Sequence, residues 1–318
     1  MTAKPVHSLH VLLSGLIDYA GMFPPANLGL RPALRNHLID LSGDDAWMLA
    51  GFILSVDQTE DTARLLKNAP ENLPIRVTVL GKGGPDWTSF FSGLDAELDA
   101  IATLRRSLGE RFEVAAMETR LPGAELDYQI RADALVDRAA GRIAEAGLRP
   151  YFEVPADPLW QPRAARALDA IGKTSGRTAV RFKLRTGGVK PEAFPTVDAV
   201  AWILTHAREA GAALKCTAGL HHPIRGFRQE VRTKMHGFIN VFTAAVLSNS
   251  RGLPAADLAR ILSEEDPDRF SFDDGGLSWN DFTASTSEIE TARRDFAVSF
   301  GSCSFDEPRE DLRRMGWV

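Results

Sequence analysis

The chain alternates short apolar runs, which favour β-strands, with longer amphipathic stretches, which favour α-helices. The predicted strands occupy residues 16–20, 47–54, 75–80, 112–118, 151–154, 179–185, 213–218 and 269–273. The predicted helices between them include residues 95–108, 132–146, 162–171, 197–210 and 288–300. Before the last of these helices, Ser285 and Glu288 have the spacing of a helix-capping box. Strand-then-helix units repeated in this way predict parallel strands joined by right-handed crossovers.

These units predict an α/β protein with the (β/α)8 TIM-barrel fold. Residues 1–14 are expected to form a short N-terminal helix that caps the bottom of the barrel, and a helical C-terminal tail is expected. Barrels of this length are commonly one domain, so residues 1–318 are expected to form a single barrel domain. An open doubly wound sheet is the alternative. That fold would carry a glycine-rich dinucleotide motif after an early strand, where this chain has Gly21-Met22-Phe23-Pro24-Pro25.

Two lysines occupy matching places in the sixth and seventh predicted strands. Lys183 begins the segment KLRTG at 183–187, and Lys215 begins the segment KCTAG at 215–219. Because strand side chains alternate between faces, Lys183 points away from Phe182 and Leu184, and Lys215 points away from Leu214. Both lysines are therefore expected to face the barrel interior, where a charge is costly unless it is paired or used in chemistry.

The same alternation places two acidic residues inside the barrel next to these lysines, Glu118 from the fourth strand and Glu153 from the fifth. Neighbouring strands lie about 4.8 Å apart, so the four side chains can interact directly. Active sites of this fold lie at the C-terminal ends of the strands, and the ring therefore predicts catalytic residues. The alternative is a set of structural salt bridges, although apolar residues would stabilise the same positions better.

Two close ammonium groups have a specific chemical use. A lysine attacks a carbonyl carbon only as the neutral amine, and its ordinary pKa of about 10.4 keeps it charged at pH 7. Repulsion from Lys215 is expected to lower the pKa of Lys183 and so prepare it for Schiff-base formation. Glu118 and Glu153 would then move protons to and from the carbinolamine and the neighbouring carbon.

This pattern of two lysines resembles the class I aldolases of the deoxyribose-phosphate aldolase type, which are (β/α)8 barrels. That family carries a Schiff-base lysine on strand six, in a Lys-x-Ser/Thr-x-Gly-like context, and a second lysine on strand seven. The resemblance implies that Lys183 forms the Schiff base, that Lys215 lowers its pKa and that Glu118 is the proton shuttle. It covers two short motifs and the overall architecture. The chain departs from the family at Arg185, where a small hydroxyl residue is usual, and at His221-His222-Pro223, which replaces a glycine-rich turn.

Residues around the predicted barrel mouth are candidates for binding the substrate. A guanidinium fork with backbone N–H groups after the sixth strand suits a carboxylate or a phosphate. The predicted substrate-binding residues are Asp18, Arg185, Gly187, Gly188, Thr217, His221 and His222. No cofactor and no metal is predicted. The nearest set of metal ligands lacks a recognisable motif and consists of His221, His222 and His236 with Glu118 and Glu153.

The composition narrows the range of partners. The formal net charge is −5 and the basic residues are dispersed, which argues against a nucleic-acid surface. No apolar run approaches the roughly 20 residues that cross a bilayer, and no signal-peptide pattern opens the chain, so a cytoplasmic protein without membrane attachment is expected. Cys216 and Cys303 give no disulfide framework, and Cys303 is expected to be structural or incidental. A homo-oligomer is compatible with the sequence.

The sequence therefore favours a carbon–carbon lyase of the aldolase type that acts on a small anionic carbonyl compound through a lysine Schiff base. Three alternatives stay open. They are a barrel enzyme of the phosphoribosyltransferase kind, a metal-assisted enzyme, and a non-catalytic barrel that binds a small metabolite.

Overall fold

The computed structural model describes residues 5–67, 75–109 and 112–318. Its strands, in chain order, are β1 (Ile17–Tyr19), β2 (Leu49–Ser55), β3 (Ile75–Leu80), β4 (Phe112–Arg120), β5 (Arg149–Glu153), β6 (Arg181–Arg185), β7 (Leu214–Thr217), β8 (Gly226–Arg228), β9 (Thr233–Met235), β10 (Phe270–Phe272), β11 (Gly276–Trp279), β12 (Phe282–Ser285) and β13 (Ala297–Ser302). Its helices are α1 (His7–Leu13), α2 (Leu30–Leu41), α3 (Thr59–Leu66), α4 (Trp87–Leu108), α5 (Gln129–Glu145), α6 (Trp160–Ser175), α7 (Val197–Ala210), α8 (Phe238–Arg251), α9 (Ala255–Ser263), α10 (Thr286–Asp295) and α11 (Asp306–Arg314).

Eight of these strands close into a parallel barrel in the order β1-β13-β7-β6-β5-β4-β3-β2. Successive strands pair in sequence from β2 to β7, and β1 closes the ring by pairing with both β2 and β13. Helices connect the strands, so the predicted (β/α)8 barrel is confirmed. The predicted strands 75–80 and 179–185 and the predicted helix 197–210 coincide with observed elements to within two residues.

The eighth barrel strand is β13, and the prediction of residues 269–273 for this strand was wrong. Those residues contribute β10 to a small antiparallel sheet with β11 and β12. The predicted helix 288–300 was wrong in its C-terminal part, because α10 ends at Asp295 and β13 begins at Ala297. The single residue between them, Phe296, is apolar and leaves no break in the apolar pattern, and Phe300 extends that pattern by packing against Phe238 and Phe242.

The alternation of side chains along the barrel strands follows the predicted parity. Phe182, Leu184, Leu214 and Cys216 are buried in the apolar layer between the barrel and its helices. Burial of this layer removes a large apolar surface from water and supplies the main driving force for closing the barrel. The residues that alternate with them therefore point into the barrel lumen.

Short helices lie at both ends of the described chain. Of the N-terminal helix predicted over residues 1–14, His7–Leu13 is observed as α1, which packs against α10 and β11, and residues 1–4 lie outside the described ranges. Arg293 of α10 fixes this arrangement, because its guanidinium donates hydrogen bonds to the backbone carbonyl oxygens of Leu12 and Ala297. The predicted capping box is present at the start of α10, where Ser285 and Glu288 bond each other's backbone N–H groups. The predicted helical C-terminal tail is observed as α11. Among the helices of the described ranges, none is long and apolar enough to cross a bilayer.

Candidate active site

Lys183 and Lys215 lie side by side inside the barrel. They are paired in the register of β6 and β7, and only 5% of Lys183 and 2% of Lys215 is exposed to solvent. The next residues outward along the same face of these strands are Arg185 and Thr217, which are also paired. The prediction that both lysines face the interior is therefore confirmed by their positions.

Glu118 of β4 joins the two lysines from across the lumen. One carboxylate oxygen lies 2.6 Å from Lys215 Nζ, and the other lies 2.8 Å from Lys183 Nζ. Glu118 is 2% exposed, so these contacts are formed out of water. A single carboxylate thus bridges two buried ammonium groups, which offsets the repulsion between them.

The bridge continues at both ends into a row of alternating charges. Asp18 Oδ2 lies 2.6 Å from Lys215 Nζ, and it also accepts a hydrogen bond of 2.8 Å from Ser299 Oγ. Glu153 Oε2 lies 2.9 Å from Lys183 Nζ. We call the five charged side chains of this row the ion network: Asp18, Lys215, Glu118, Lys183 and Glu153. Three carboxylates and two ammonium groups give the ion network a formal charge of −1 when all five are ionised.

The ion network holds both lysines in the charged form, which corrects one sequence prediction. Burial alone would lower the pKa of Lys183, but the charges of Glu118 and Glu153 outweigh it and raise the pKa. The pKa of Lys215 is raised in the same way by Asp18 and Glu118. The expectation that Lys215 lowers the pKa of Lys183 was wrong, because carboxylates lie between and around the two cations.

The carboxylates respond in the opposite direction. Burial would raise the pKa of Glu118, but the charges of Lys183 and Lys215 outweigh it and lower the pKa to about 2. The pKa of Glu153 is lowered for the same reason, chiefly by Lys183, with contributions from Arg120 and Arg185. The resting site therefore contains ionised carboxylates in direct hydrogen-bond contact with an ammonium donor, the arrangement required for proton exchange between them.

A cavity of about 290 Å³ opens above the ion network at the C-terminal ends of the barrel strands. Lys183, Glu118 and Glu153 form part of its floor and wall, whereas apolar residues such as Phe23 and Ile53 line other parts. The cationic side chains that line it, besides Lys183, are Lys82, Arg120, Arg185 and His221. We call this space the upper cavity. Its position matches that of active sites in this fold, and its charge suits a small anion.

A second cavity of about 230 Å³ lies on the opposite side of the ion network. Asp18, Lys215, Tyr151 and Arg181 line it, and Arg181 Nη1 donates a hydrogen bond of 3.0 Å to the hydroxyl of Tyr151. The ion network therefore separates the barrel lumen into two compartments. Lys183 belongs to the upper cavity, whereas Lys215 belongs to this lower one.

The predicted substrate-binding residues divide between these places. Arg185, Gly188, Thr217 and His221 line the upper cavity. Asp18 lies below, in the ion network. Gly187 packs against Gly219 so closely that a Cβ atom on Gly187 would stand 2.8 Å from the Gly219 Cα. Glycine is therefore required at position 187 because the loops after β6 and β7 cross there at close range.

The histidines near the barrel mouth hold other parts of the protein. His222 Nδ1 lies 2.5 Å from Asp311 of α11, so His222 is not part of the upper cavity lining. His236 Nε2 lies 2.8 Å from the backbone oxygen of Pro195, and His221 Nδ1 lies 2.7 Å from Glu307. Within the described ranges, no group of three or more His, Cys, Asp or Glu side chains is arranged to hold a metal ion.

Several residues of the upper cavity were not predicted from the sequence. Arg120 lies two residues after Glu118 on β4, so strand alternation could have placed it on the same face. Its Nη2 lies 3.5 Å from Glu153 Oε1. Lys82 follows β3 and pairs with Asp57 at 2.6 Å. Cys303 follows β13 and could not be placed while the eighth strand was misassigned.

The chain is similar to known proteins in its fold and not in its sequence. No protein-family model and no curated protein matches the chain. The solved structures to which it is similar include a crystal structure of IolI protein with a bound zinc atom, at 9% identity and a TM-score of 0.47, over 78% of this chain and 95% of that one. They also include a candidate deoxyribose-phosphate aldolase from Toxoplasma gondii ME49, at 11% identity and a TM-score of 0.38, over 98% of this chain and 94% of that one. Similarities of this size carry no conclusion about activity.

Proposed function

We propose that this protein is a carbon–carbon lyase of the aldolase type, in which Lys183 forms a Schiff base with a small anionic carbonyl compound. The observation that carries the proposal is a buried lysine amine that lines a cavity and contacts two carboxylates, at 2.8 Å and 2.9 Å. Burial of such groups stabilises a fold less than apolar packing at the same positions would. A catalytic use accounts for their presence at these positions.

The carboxylates provide the proton transfers that imine chemistry needs. Lys183 must first lose a proton, and Glu118 and Glu153 are both within direct hydrogen-bond distance to accept it. The neutral amine then attacks the carbonyl carbon, and the carbinolamine oxygen leaves as water after it is protonated. A carboxylate then removes the proton of the hydroxyl on the β-carbon, and the bond between the α- and β-carbons breaks. Its electron pair moves to the iminium to form an enamine, and the β-carbon leaves as an aldehyde or ketone. A protonated carboxylate returns a proton to the α-carbon of the enamine, and water hydrolyses the imine to release the second product and the Lys183 amine.

The raised pKa of Lys183 sets the pH dependence of the first step. Below the pKa of an amine, its neutral fraction increases tenfold with each pH unit. Imine formation is therefore expected to accelerate from pH 7 into the alkaline range. Lys215 does not line the upper cavity, and it contributes by holding Glu118 in position between the two lysines.

The cations of the upper cavity define the substrate class. Arg120 and Arg185 lie 3.5 Å and 3.9 Å from the same oxygen of Glu153, so neither guanidinium makes a close bidentate pair with that carboxylate. Both are partly exposed and can donate hydrogen bonds to a substrate carboxylate or phosphate. A volume of about 290 Å³ suits a small metabolite.

The charged state of Lys183 favours a second candidate function. An ammonium group at this position could donate a hydrogen bond to the substrate carbonyl oxygen and stabilise an enolate, while Glu153 removes a proton from the neighbouring carbon. The protein would then be a proton-transfer enzyme for the same class of substrate, with no covalent intermediate.

Two substitutions of Lys183 separate the candidates. The wild type is screened by NMR for cleavage or condensation of short aldehydes, 2-oxo acids and their phosphate esters. The aldolase proposal predicts turnover of a member of this panel and a loss of at least about 10³-fold in both Lys183→Arg and Lys183→Met, because neither side chain forms an imine. Lys173→Arg is the matched control, since Lys173 is an exposed lysine of α6 paired with Asp133. Retention of activity within about tenfold in Lys183→Arg alone would support the enolate mechanism instead. Absence of turnover across the panel contradicts both.

A further inference from the structure

A thiol and an imidazole meet in the wall of the upper cavity. Cys303 lies just after β13 and His221 lies in the connection after β7, and both line the cavity that Lys183 lines. Cys303 Sγ is 3.9 Å from His221 Nε2 and 4.0 Å from His221 Nδ1. Both residues are more than nine-tenths buried. The thiol is therefore close to a base in a space that a small molecule can occupy.

Glu307 of α11 orients the imidazole. Its Oε2 lies 2.7 Å from His221 Nδ1, so Nδ1–H donates to the carboxylate and Nε2 is left to accept a proton. Among the described residues, the hydrogen-bond partner of Nε2 is Cys303 Sγ, at 3.9 Å. The order carboxylate, imidazole, thiol is the arrangement that activates a cysteine nucleophile.

The charges around this pair favour the imidazolium form. Burial would lower the pKa of His221, but the contacts with Cys303 and Glu307 outweigh it and raise the pKa to about 9. Lys82, Arg120 and Arg185 line the same cavity and add positive potential. Together with Lys183 they outnumber Glu118 and Glu153, the two carboxylates that line the cavity, so small anionic reagents are attracted to the pair.

The second cysteine provides an internal contrast. Cys216 is fully buried in the apolar layer outside the barrel, and burial raises the pKa of its thiol to about 12. Reagents that need a thiolate are therefore expected to leave Cys216 unmodified while the protein is folded.

We propose that Cys303 is a nucleophilic modification site for small electrophiles that carry a carboxylate, activated by His221 and Glu307. With iodoacetate as the probe, His221 holds the former thiol proton on Nε2 as an imidazolium, and the thiolate sulfur of Cys303 forms a bond to the methylene carbon. The carbon–iodine bond breaks, and iodide leaves with the electron pair. The carboxymethyl group then occupies part of the upper cavity and blocks access to Lys183.

The test compares alkylation rates of the folded and urea-unfolded chain by peptide mass spectrometry. The ratio of the iodoacetate rate to the iodoacetamide rate at Cys303 is expected to be at least about tenfold higher in the folded protein, because the cations concentrate the anionic reagent. Added salt should reduce that ratio. Cys216 should react after unfolding and not before. Equal ratios in the two states, or labelling of Cys303 that requires unfolding, would overturn the proposal.

Two variants test the activating pair. His221→Gln and Glu307→Gln are each expected to slow the alkylation of folded Cys303 by about tenfold or more, because they remove the base or its orientation. Glu310→Gln is the matched control, since Glu310 is an exposed acid on the same helix that pairs weakly with Arg314. Unchanged rates in both His221→Gln and Glu307→Gln would refute the assignment. Cys303 should still be alkylated in Lys183→Arg, so the outcome of this test does not depend on whether Lys183 forms a Schiff base.

Discussion

Replacement of Glu153 by glutamine tests how the ion network controls the nucleophile. Glu153 Oε2 lies 2.9 Å from Lys183 Nζ, and both groups are buried. At an effective dielectric constant of about 20, two unit charges at this distance attract by about 6 kcal/mol. The glutamine oxygen still accepts a hydrogen bond from the ammonium, and Glu118 stays in place, so the net effect is smaller. A single neighbouring charge typically changes a pKa by about 1 to 3 pH units.

The direction of the effect follows from the charge that is removed. Glu153 stabilises the ammonium form of Lys183, so Glu153→Gln lowers the pKa of that lysine and increases the fraction of neutral amine at a given pH. The assay is the initial rate of borohydride-trapped adduct formation with a small 2-oxo acid, measured from pH 6 to pH 10. Because this range lies below the raised pKa of Lys183, the trapping rate at each pH is expected to increase about 10- to 1,000-fold if that pKa decreases by about 1 to 3 pH units.

The matched control is Glu145→Gln, which removes an exposed carboxylate at the end of α5. This variant should leave the profile unchanged. A profile for Glu153→Gln that coincides with the wild type, or that moves to higher pH, would refute the conclusion that Glu153 holds Lys183 in its charged form.

Three further predictions concern stability and binding. Glu118→Gln should destabilise the fold by about 3 to 5 kcal/mol in urea unfolding at pH 7, because two buried ammonium groups lose their shared partner, and a destabilisation below about 1 kcal/mol would contradict the bridge. The pKa of Glu118 is depressed to about 2 in the folded protein, so its contribution to stability is complete above about pH 5 and is lost as the pH falls toward 2. Arg185→Met should raise KM for an anionic substrate about 10- to 100-fold with little change in kcat, and an unchanged KM would remove Arg185 from substrate binding. In the same urea unfolding experiment, Gly172→Ala should destabilise the fold by about 1 to 3 kcal/mol, because its Cβ would stand 1.9 Å from the backbone oxygen of Ala210. Gly141→Ala, whose Cβ meets no atom within 4 Å, should stabilise the fold by up to about 1 kcal/mol.

Strand alternation was sufficient to place the main charged residues. Lys183 and Lys215 are flanked by Phe182, Leu184 and Leu214, which must pack outward against helices, so the lysines had to face inward. The same rule placed Glu118 of β4 inside the barrel. Applied two residues further along the strand, it would also have placed Arg120 on the inward face. These positions depend on local sequence alone, which explains why they could be predicted.

The protonation states could not be predicted, because they depend on distances between different strands. The sequence indicates that two lysines are neighbours, but it does not indicate that Glu118 reaches across the lumen to lie between them. That position depends on the stagger of the closed barrel and on side-chain rotamers. The sign of the change in the pKa of Lys183 therefore depends on a contact that only three-dimensional structure reveals.

The eighth strand was missed for a different reason. The Phe-Ser-Phe pattern of β10 satisfies the same alternation rule as a barrel strand, and its assignment to a separate antiparallel sheet depends on pairing with β11. Residues 297–300 were assigned to the preceding helix, because only the apolar residue Phe296 separates them from α10. The misassignment also concealed Cys303, which follows β13 at the barrel mouth.

The Schiff base on Lys183 is tested most directly by peptide mapping after borohydride reduction with a small 2-oxo acid. We expect a mass increase equal to the reduced adduct on the peptide that contains Lys183. We expect none on the peptide that contains Lys215, because Lys215 does not line the upper cavity. The increase should be absent in Lys183→Arg and present in Lys173→Arg. An adduct that forms at Lys215, or the absence of any adduct with a compound that the enzyme turns over, would contradict the account.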